Sequence, residues 1–311
     1  METEAAPSSS GSRWSRVASS LPVRNVQDLA ACPEELTAKT LERYIRPDIQ
    51  NHEVLVEKSS EVPVIDLDKL FNPCFVEEEV ARLRFACEDW GFFQLVNHGI
   101  PDEIITNIRS DIQSFFQLPL KVKCAYAQVP GSLQGYGQSF VASEGQKLDW
   151  CDRFAIIAQP PQVRDMKYWP TQPHTFRKSI NDYSSELMKI VGSVVHFIAK
   201  TLNIDLKLMD DKYVSQVLRM NYYPPCMTMA EKIVSNGNYK SVEHRVTINA
   251  NQERLTISAF HIPSLDGVVA PVTSIAEERI LYKTMGVEEY LKIFMSNKLE
   301  GKRALDHAKL S

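Results

Sequence analysis

The amino-acid sequence predicts an α+β protein, because helical and strand periodicities both occur and occupy separate stretches of the chain. Residues 176–202 repeat apolar side chains at helical spacing. Residues 216–223 alternate between two faces as a strand does, and strand-forming stretches follow at 240–249 and 253–263. The chain has 311 residues, of which 44% are hydrophobic, so it can bury a sizeable core in one large domain or two ordinary ones.

The first 120 residues contain a tail followed by helices and strands. Residues 1–20 are rich in serine and lack apolar periodicity, which predicts a disordered tail. VPVIDL at 62–67 is β-branched and apolar, as is typical of a buried strand. The elements predicted after the tail are helices at 23–32 and 34–45, the strand at 62–67, a helix at 76–90, a strand at 91–99 and a helix from Pro101 to about Pro119.

The rest of the chain contains the longest helix and most of the predicted strands. Residues 124–173 hold many Pro, Gly and Gln residues and predict loops with short strands. In the strand at 216–223, Arg219, Asn221 and Tyr223 share one face. The other elements predicted here are the helix at 176–202, a tight turn at Asn236-Gly237, strands at 240–249 and 253–263, and an amphipathic helix at 287–299 that closes the chain.

Charge and composition exclude several classes of partner. A formal net charge of -4 and a pI near 6.0 give no attraction to nucleic acid or to an anionic membrane. The longest apolar run, around residues 190–200, is interrupted by His196 and is too short to span a bilayer. The first residues lack the apolar segment of a secretory signal, and the six cysteines form no CxxC pair. We therefore expect a cytoplasmic protein with reduced thiols and with no nucleic-acid or membrane partner.

Two predicted strands carry side chains that suit a site for a small anion. His244 shares a face of the strand at 240–249 with apolar residues, and Arg254 and Thr256 share a face of the next strand. If these two faces line one barrel, the imidazole and the guanidinium point into the same interior. A buried arginine needs an anionic partner, because removing it from water alone costs several kcal/mol. An arginine with a hydroxyl group two residues later can grip a small carboxylate, and Asn221 and Tyr223 can add hydrogen bonds to it.

Each of these signals also has an ordinary structural interpretation. A lone histidine on an apolar strand face is more often a satisfied core residue than a metal ligand. A lone arginine such as Arg254 is more often a surface or ion-pair residue, and NYYPP taken alone is a strand followed by a polyproline turn. From the residues alone, both interpretations stay open.

Taken together, the motifs resemble a known family. From about Val23 to the C-terminus, the chain is similar to the plant 2-oxoglutarate- and Fe(II)-dependent dioxygenases, which are isopenicillin N synthase-like proteins. Within that family it resembles the group that oxidises specialised metabolites, including flavonoid oxidases and alkaloid demethylases. The segments that carry the resemblance keep the family's order and read VPVIDL, ACEDWGFFQLVNHGIP, FFQLPLKVK, GYGQSF, LDWCDRF, MNYYPPC, SNGNYKSVEHR, ERLTISAFHIPSLD and EEYLKIFMSNKLEGK.

The resemblance implies an architecture and a reaction class. The expected fold is a jelly-roll (double-stranded β-helix) core with N-terminal and flanking helices. The expected divisions are the tail at 1–20, an N-terminal non-haem dioxygenase domain at 21–172, a packing helix at 173–205 and a truncated Fe(II)/2-oxoglutarate dioxygenase domain at 206–311. Intact members hydroxylate, demethylate or desaturate a small-molecule substrate with Fe(II), 2-oxoglutarate and ascorbate as reductant, and we expect a monomer.

The resemblance also assigns roles to the candidate residues. His244 matches the family's distal iron-binding histidine. Arg254 and Thr256 match the Arg-x-Ser pair that binds the distal carboxylate of 2-oxoglutarate, with threonine in place of serine and the hydroxyl group kept. Asn221 and Tyr223 match positions that also contact the co-substrate.

The other two iron ligands of the family have no match in the sequence. The family holds iron with two histidines and one carboxylate, two of them from a His-x-Asp pair, yet no H-x-D or H-x-E occurs in the chain. By comparison with the family, roughly fifty residues are absent between Cys226 and Ile233, including this pair and several central strands of the jelly-roll. The core is therefore expected to be incomplete. Glu243 points away from His244 and cannot replace the missing ligands.

Three hypotheses follow from the missing segment. The first is a family member that has lost catalysis through splicing, genomic deletion or a faulty gene model. The second is a working enzyme that recruits iron differently, for example through Glu231 with water or a ligand from a partner chain. The third is a non-catalytic protein that binds partners or small ligands.

Overall fold

A computed structural model describes most of the chain between residues 21 and 310. The described residues are 21–32, 34, 37, 40, 42–44, 61–129, 132–138, 141, 143–209, 214–223, 253–272, 280–296 and 303–310. The predicted tail at 1–20, half of the predicted helix at 34–45, the turn at Asn236-Gly237 and the strand at 240–249 lie outside the described residues.

The N-terminal half forms short helices around a two-stranded parallel sheet. Its elements are α1 (Val26–Ala30), β1 (Val64–Asp66), α2 (Leu67–Phe71), α3 (Val76–Phe85), a π-helical turn (Ala86–Trp90), β2 (Gln94–Val96), α4 (Asp102–Gln117) and α5 (Leu120–Cys124). β1 pairs with β2, with Val64 opposite Gln94. The strand predicted at 62–67 ends at Asp66, because the Asp66 carboxylate accepts hydrogen bonds from the backbone N–H groups of Asp68 and Lys69 and begins α2 there.

The second half contains the main sheet. Its elements are β3 (Gly135–Tyr136), β4 (Asp152–Gln159), α6 (Phe176–Leu202), β5 (Ser215–Tyr223), β6 (Arg254–Ile262), β7 (Val268–Val269), β8 (Met285–Gly286), α7 (Val287–Ser296) and α8 (Arg303–Ala308). The predicted helix at 176–202 and the predicted strands at 216–223 and 253–263 are confirmed. The strand β4 is longer than the short strands predicted for residues 124–173, and α8 follows the helix that was predicted to close the chain.

The main sheet is antiparallel and runs in the order β3-β4-β5-β6. In its centre, Arg153 lies opposite Asn221, and Asn221 lies opposite Thr256. Because neighbouring residues of a strand point to opposite faces, the sheet has a helix-covered face and a polar face. The helix-covered face carries Phe154, Ile156, Leu218, Met220, Leu255 and Ile257, and the polar face carries Arg153, Ala155, Arg219, Asn221, Tyr223, Arg254, Thr256 and Ser258.

The helix-covered face packs against α4 and α6. From the helices, Ile112, Phe115 and Phe176 meet Phe154 and Leu218 of the sheet, and each of these side chains is at most 1% exposed. Burying a side chain of this size stabilises the fold by roughly 1.5–3 kcal/mol. This layer therefore fixes which residues of β4 and β5 face the helices and which face away.

The polar face is itself covered at one end. Ile157 and Val217 join a cluster with Val269, Val287 and Tyr290 from the C-terminal elements. Since β4 is buried on both sides, seven of its eight residues are buried and show no alternation of polar and apolar side chains. This is the physical reason why the sequence pattern did not predict a long strand there.

A buried carboxylate joins α1 to the sheet. Asp152, which is fully buried, accepts hydrogen bonds from the backbone N–H groups of Val26 and Gln27 at 2.7 and 3.0 Å. The Tyr136 hydroxyl donates a third, at 3.2 Å. Burial raises the pKa of Asp152, and the three donors oppose that shift by stabilising the carboxylate. The segment before β1 is thereby attached to the first residue of β4.

A chain of side-chain hydrogen bonds links α6 to β5 and β6. The Ser184 hydroxyl donates to Gln216 Oε1 at 2.6 Å, which leaves the Gln216 amide nitrogen facing His261 Nε2 at 3.0 Å. That amide nitrogen is a donor, so His261 must accept through Nε2 and stay neutral. Burial lowers the pKa of His261 to about 4.

This linkage predicts loss of stability in acid. The pKa of His261 is lower in the folded than in the unfolded chain, so its contribution is complete above about pH 6.5 and is lost as the pH falls towards 4. Allowing for partial exposure, we expect the free energy of unfolding to fall by about 2 kcal/mol over this window. His261→Gln should remove that part of the pH dependence in urea titrations at several pH values.

The matched control is His196→Gln, because His196 is exposed on α6. It should leave the acid-induced loss unchanged. An identical pH dependence in the wild type and in His261→Gln would contradict the assignment of this loss to His261.

Candidate functional site

The four residues predicted to contact a co-substrate lie together on the polar face. Asn221 and Tyr223 come from β5, and Arg254 and Thr256 come from β6. The register sets Asn221 directly opposite Thr256 and Tyr223 directly opposite Arg254. Side chains directly opposite each other in an antiparallel pair project on the same side, with their Cβ atoms roughly 5 Å apart.

Asn221 and Thr256 form the buried part of this group. The Asn221 amide nitrogen donates a hydrogen bond to the Thr256 hydroxyl at 3.0 Å. Asn221 is 1% exposed, and its carbonyl oxygen Oδ1 is buried without a hydrogen-bond partner among the described residues. A buried acceptor of this kind normally has a donor, so this position suits a bound molecule or water.

Tyr223 and Arg254 form the outer part of the group. Tyr223 is buried, and burial raises the pKa of its hydroxyl group, whereas the hydrogen bond with Thr256 lowers it. The Tyr223 hydroxyl therefore stays protonated at neutral pH and can donate. Arg254 begins β6 and is exposed.

The sequence reasoning missed a second cation on this face, Arg153. It lies on β4 opposite Asn221, is 5% exposed, and donates from Nη2 to the Asp149 carboxylate. Its Nε and Nη1 groups are buried without a partner among the described residues. Burial alone lowers the pKa of Arg153, but its neighbours Cys151 and Asp149 outweigh that effect, and the pKa is raised. Arg153 is therefore charged.

Arg219 is the neighbour of this cation on β5. Its guanidinium lies 4.6 Å from the centre of the Phe260 ring, and its Nε is buried without a partner among the described residues. Burial, followed by the charge of Arg153, lowers the pKa of Arg219 to about 10. The sequence placed Arg219 on the face of Asn221 and Tyr223, and the structure confirms that placement.

The described side chains of the polar face suit a bound anion. They present guanidinium, hydroxyl and amide groups, which are donors for a carboxylate. Fe(II) instead takes imidazole and carboxylate ligands, and no group of three or more His, Cys, Asp or Glu side chains that could hold a metal occurs in the described part of the chain. The predicted ligand His244 lies outside the described residues, so its place relative to Arg254 is not part of this geometry.

Comparison with known proteins connects this geometry to one family. Residues 62–173 match the family model described as non-haem dioxygenase in morphine synthesis N-terminal. The 2-oxoglutarate-dependent dioxygenase 11 of Oryza sativa subsp. japonica is 37% identical, over 95% of this chain and 98% of the relative. S-norcoclaurine synthase 1 of Coptis japonica is 36% identical, over 94% of this chain and 98% of the relative.

A solved structure supports the relationship to this family at the level of the fold. The crystal structure of JOX2 in complex with 2OG, Fe and JA matches with a TM-score of 0.78 and 25% identity, over 94% of this chain and 99% of JOX2. Its fold is the jelly-roll of the 2-oxoglutarate oxygenases, as the sequence led us to expect. Among the described helices, none is both long and apolar enough to cross a bilayer.

The Asn221–Thr256 hydrogen bond predicts a difference between two substitutions. Thr256→Val removes the hydroxyl group at nearly constant volume and leaves a buried amide donor unpaired. We expect it to lower the free energy of unfolding by about 1–3 kcal/mol. Thr256→Ser keeps the hydroxyl group and should cost clearly less. Urea denaturation of both variants measures the difference, and equal losses would show that the hydrogen bond contributes nothing.

Proposed function

The chain belongs to the plant 2-oxoglutarate- and Fe(II)-dependent dioxygenase family, and we propose that it binds 2-oxoglutarate but cannot complete the family's iron site alone. Its relatives are dioxygenases that act on small specialised metabolites. The observation that carries the proposal is the register of β5 and β6, in which Asn221 bonds to Thr256 beside the Tyr223–Arg254 pair. Catalysis by this chain alone is then lost or strongly reduced.

The chemistry of these four residues supports 2-oxoglutarate as the ligand. When a dicarboxylate leaves water, its carboxylates lose their hydrogen bonds with water. A cation and neutral donors of the protein must replace those bonds. Arg254 offers the cation, and Thr256 and Tyr223 offer hydroxyl groups next to it. Asn221 holds the Thr256 hydroxyl in place from the neighbouring strand, so the site is organised before a ligand arrives.

The length of the match to the relatives supports an internal deletion. The match to the rice relative extends over 352 aligned positions, which exceeds the 311 residues of this chain by 41. At least that many positions of the relative therefore have no counterpart here. We propose that they fall between Cys226 and Ile233, where the family's His-x-Asp pair is expected and no H-x-D or H-x-E is present. Iron, when bound, would activate oxygen. His244 is the one residue of this sequence that matches an iron ligand in the family's motifs.

Several finer features belong to the same proposal. The jelly-roll core is incomplete, because the strands of the deleted segment are missing. We propose domains at 21–172 and 206–311, joined by the packing helix at 173–205 and preceded by the tail at 1–20. We further propose a cytoplasmic monomer in which ascorbate, the family's reductant, has no role unless iron binds.

Loss of the Arg254 charge should weaken 2-oxoglutarate binding. Arg254→Met keeps an unbranched apolar stem but removes the guanidinium, which is worth about 1.5–3 kcal/mol in a charge-assisted contact, or roughly tenfold or more in Kd. The control is Arg164→Met, because Arg164 lies over the ring of Trp169, which packs on the helix-covered side of the sheet; this variant should leave the affinity unchanged. Isothermal titration of 2-oxoglutarate without metal measures both. Equal affinity in Arg254→Met and the wild type would contradict the site.

Iron binding separates the impaired chain from a working enzyme. One imidazole cannot hold Fe(II), which lies near the weak end of the divalent series, so anaerobic titration at about 50 μM protein should show no stoichiometric binding. No succinate should form from 2-oxoglutarate. An intact relative with a His-x-Asp pair serves as the positive control. One iron per chain together with succinate release would instead favour the hypothesis that Glu231 or a partner chain supplies ligands.

A further inference from the structure

The polar face holds a pair of arginines that the four predicted co-substrate contacts do not use. Arg153 on β4 and Arg219 on β5 are diagonal neighbours, because Arg153 lies opposite Asn221 and Arg219 lies opposite Ala155. Diagonal side chains across an antiparallel pair are roughly 7–8 Å apart, within reach of one small ligand for long side chains. On its other side Arg219 lies opposite Ser258, so small side chains flank its guanidinium in both neighbouring strands.

The charges of this pair are not balanced by the described residues. Asp149 accepts a hydrogen bond from Arg153 and is the one carboxylate in ion-pair contact with either arginine in the part of the chain that the structure describes. Three N–H groups of the pair, Nε and Nη1 of Arg153 and Nε of Arg219, are buried without a partner among the described residues. Buried cationic donors without an acceptor are costly, and a bound anion would satisfy them.

The residues around Arg219 indicate which chemical group the ligand has in addition to its charged group. The Phe260 ring lies under the Arg219 guanidinium and is 39% exposed, so part of its surface is open. Phe260 follows Ser258 on the same face of β6, towards the end of the strand that is farther from Arg254. A flat apolar group can lie against this ring while a charged group reaches the two arginines.

We propose that Arg153 and Arg219 form a second anion site, which binds the carboxylate of a small organic acid whose apolar body lies against Phe260. The inference deepens the proposed function by naming a substrate class, and it rests on that function only in assigning the Arg254 end of the sheet to 2-oxoglutarate. Arg219 is four residues before Tyr223 along β5, or roughly 13 Å at 3.3 Å per residue. This separation makes room for two carboxylate ligands on one face.

The titration behaviour of the pair agrees with this geometry. Burial and the charge of Arg153 lower the pKa of Arg219 to about 10. A carboxylate bound between the two guanidinium groups would oppose the effect of the Arg153 charge on the pKa of Arg219.

Phenylacetate and phenylacetamide are suitable probes, because they have nearly the same shape and differ in charge. Isothermal titration of the full chain should show phenylacetate binding at least tenfold more tightly than phenylacetamide. Arg153→Met and Arg219→Met should each weaken phenylacetate binding at least tenfold. The control is Arg164→Met, because the Arg164 guanidinium also lies over a ring, 4.7 Å from the centre of Trp169, but away from the polar face. It should bind phenylacetate within twofold of the wild type.

Several results would overturn this site. Equal affinity of the wild type for the acid and the amide would do so without any variant, even if the arginine variants fail to fold. So would unchanged phenylacetate binding in both folded methionine variants. If 2-oxoglutarate displaces phenylacetate equally well from the wild type and from Arg254→Met, Arg153 and Arg219 bind the co-substrate and not a second ligand. If phenylacetate binds as expected and 2-oxoglutarate does not bind, the second site stands and the proposed function fails.

Discussion

The nine-residue antiparallel pairing of β5 with β6 is the constraint on which both the core and the candidate site depend. Because side chains alternate along a strand, a shift by one residue would exchange the two faces completely. Leu218 and Met220, which are fully buried against α4 and α6, would then face the polar side, and Asn221 would enter the apolar core. Burial of the apolar residues therefore selects the register, and the register brings Asn221 to Thr256. The site is a consequence of how the opposite face packs.

The same sheet shows how cations can be buried at a tolerable cost. At one end of the polar face, Ile157 and Val217 are covered by the C-terminal elements, and at the other end Arg254 reaches solvent. Between these regions Arg153 is buried and Arg219 is half-buried, and no complete set of carboxylate partners for them is present among the described residues. A site of this kind favours anions, since each donor that a ligand satisfies removes a desolvation penalty already present in the free protein.

The sequence was sufficient where one pattern governs a whole element. The helix at 176–202 and the two faces of β5 follow from periodicity, and the Arg254/Thr256 pair follows from alternation along β6. The strand β4 could not be found in this way, because it is covered on both sides and its residues 154–158 are apolar on both faces. Arg153 was missed for that reason, although a charged residue inside an otherwise apolar run is the signal that could have drawn attention to it.

Binding an anion and binding a metal require different arrangements of residues. A chain can therefore keep the fold of a family and lack its catalytic activity. In the proposed site, the carboxylate contacts come from β5 and β6, two neighbouring strands held in register by their own hydrogen bonds and by the helices behind them. A facial triad needs three ligands brought to one point from separate segments, two of them from the stretch after Tyr223. A shortened connection between Cys226 and Ile233, as we propose, leaves the first arrangement possible and removes the second. High coverage of a relative therefore supports the family and the fold, whereas the co-substrate contacts and the iron ligands depend on a few residues that contribute almost nothing to such a match.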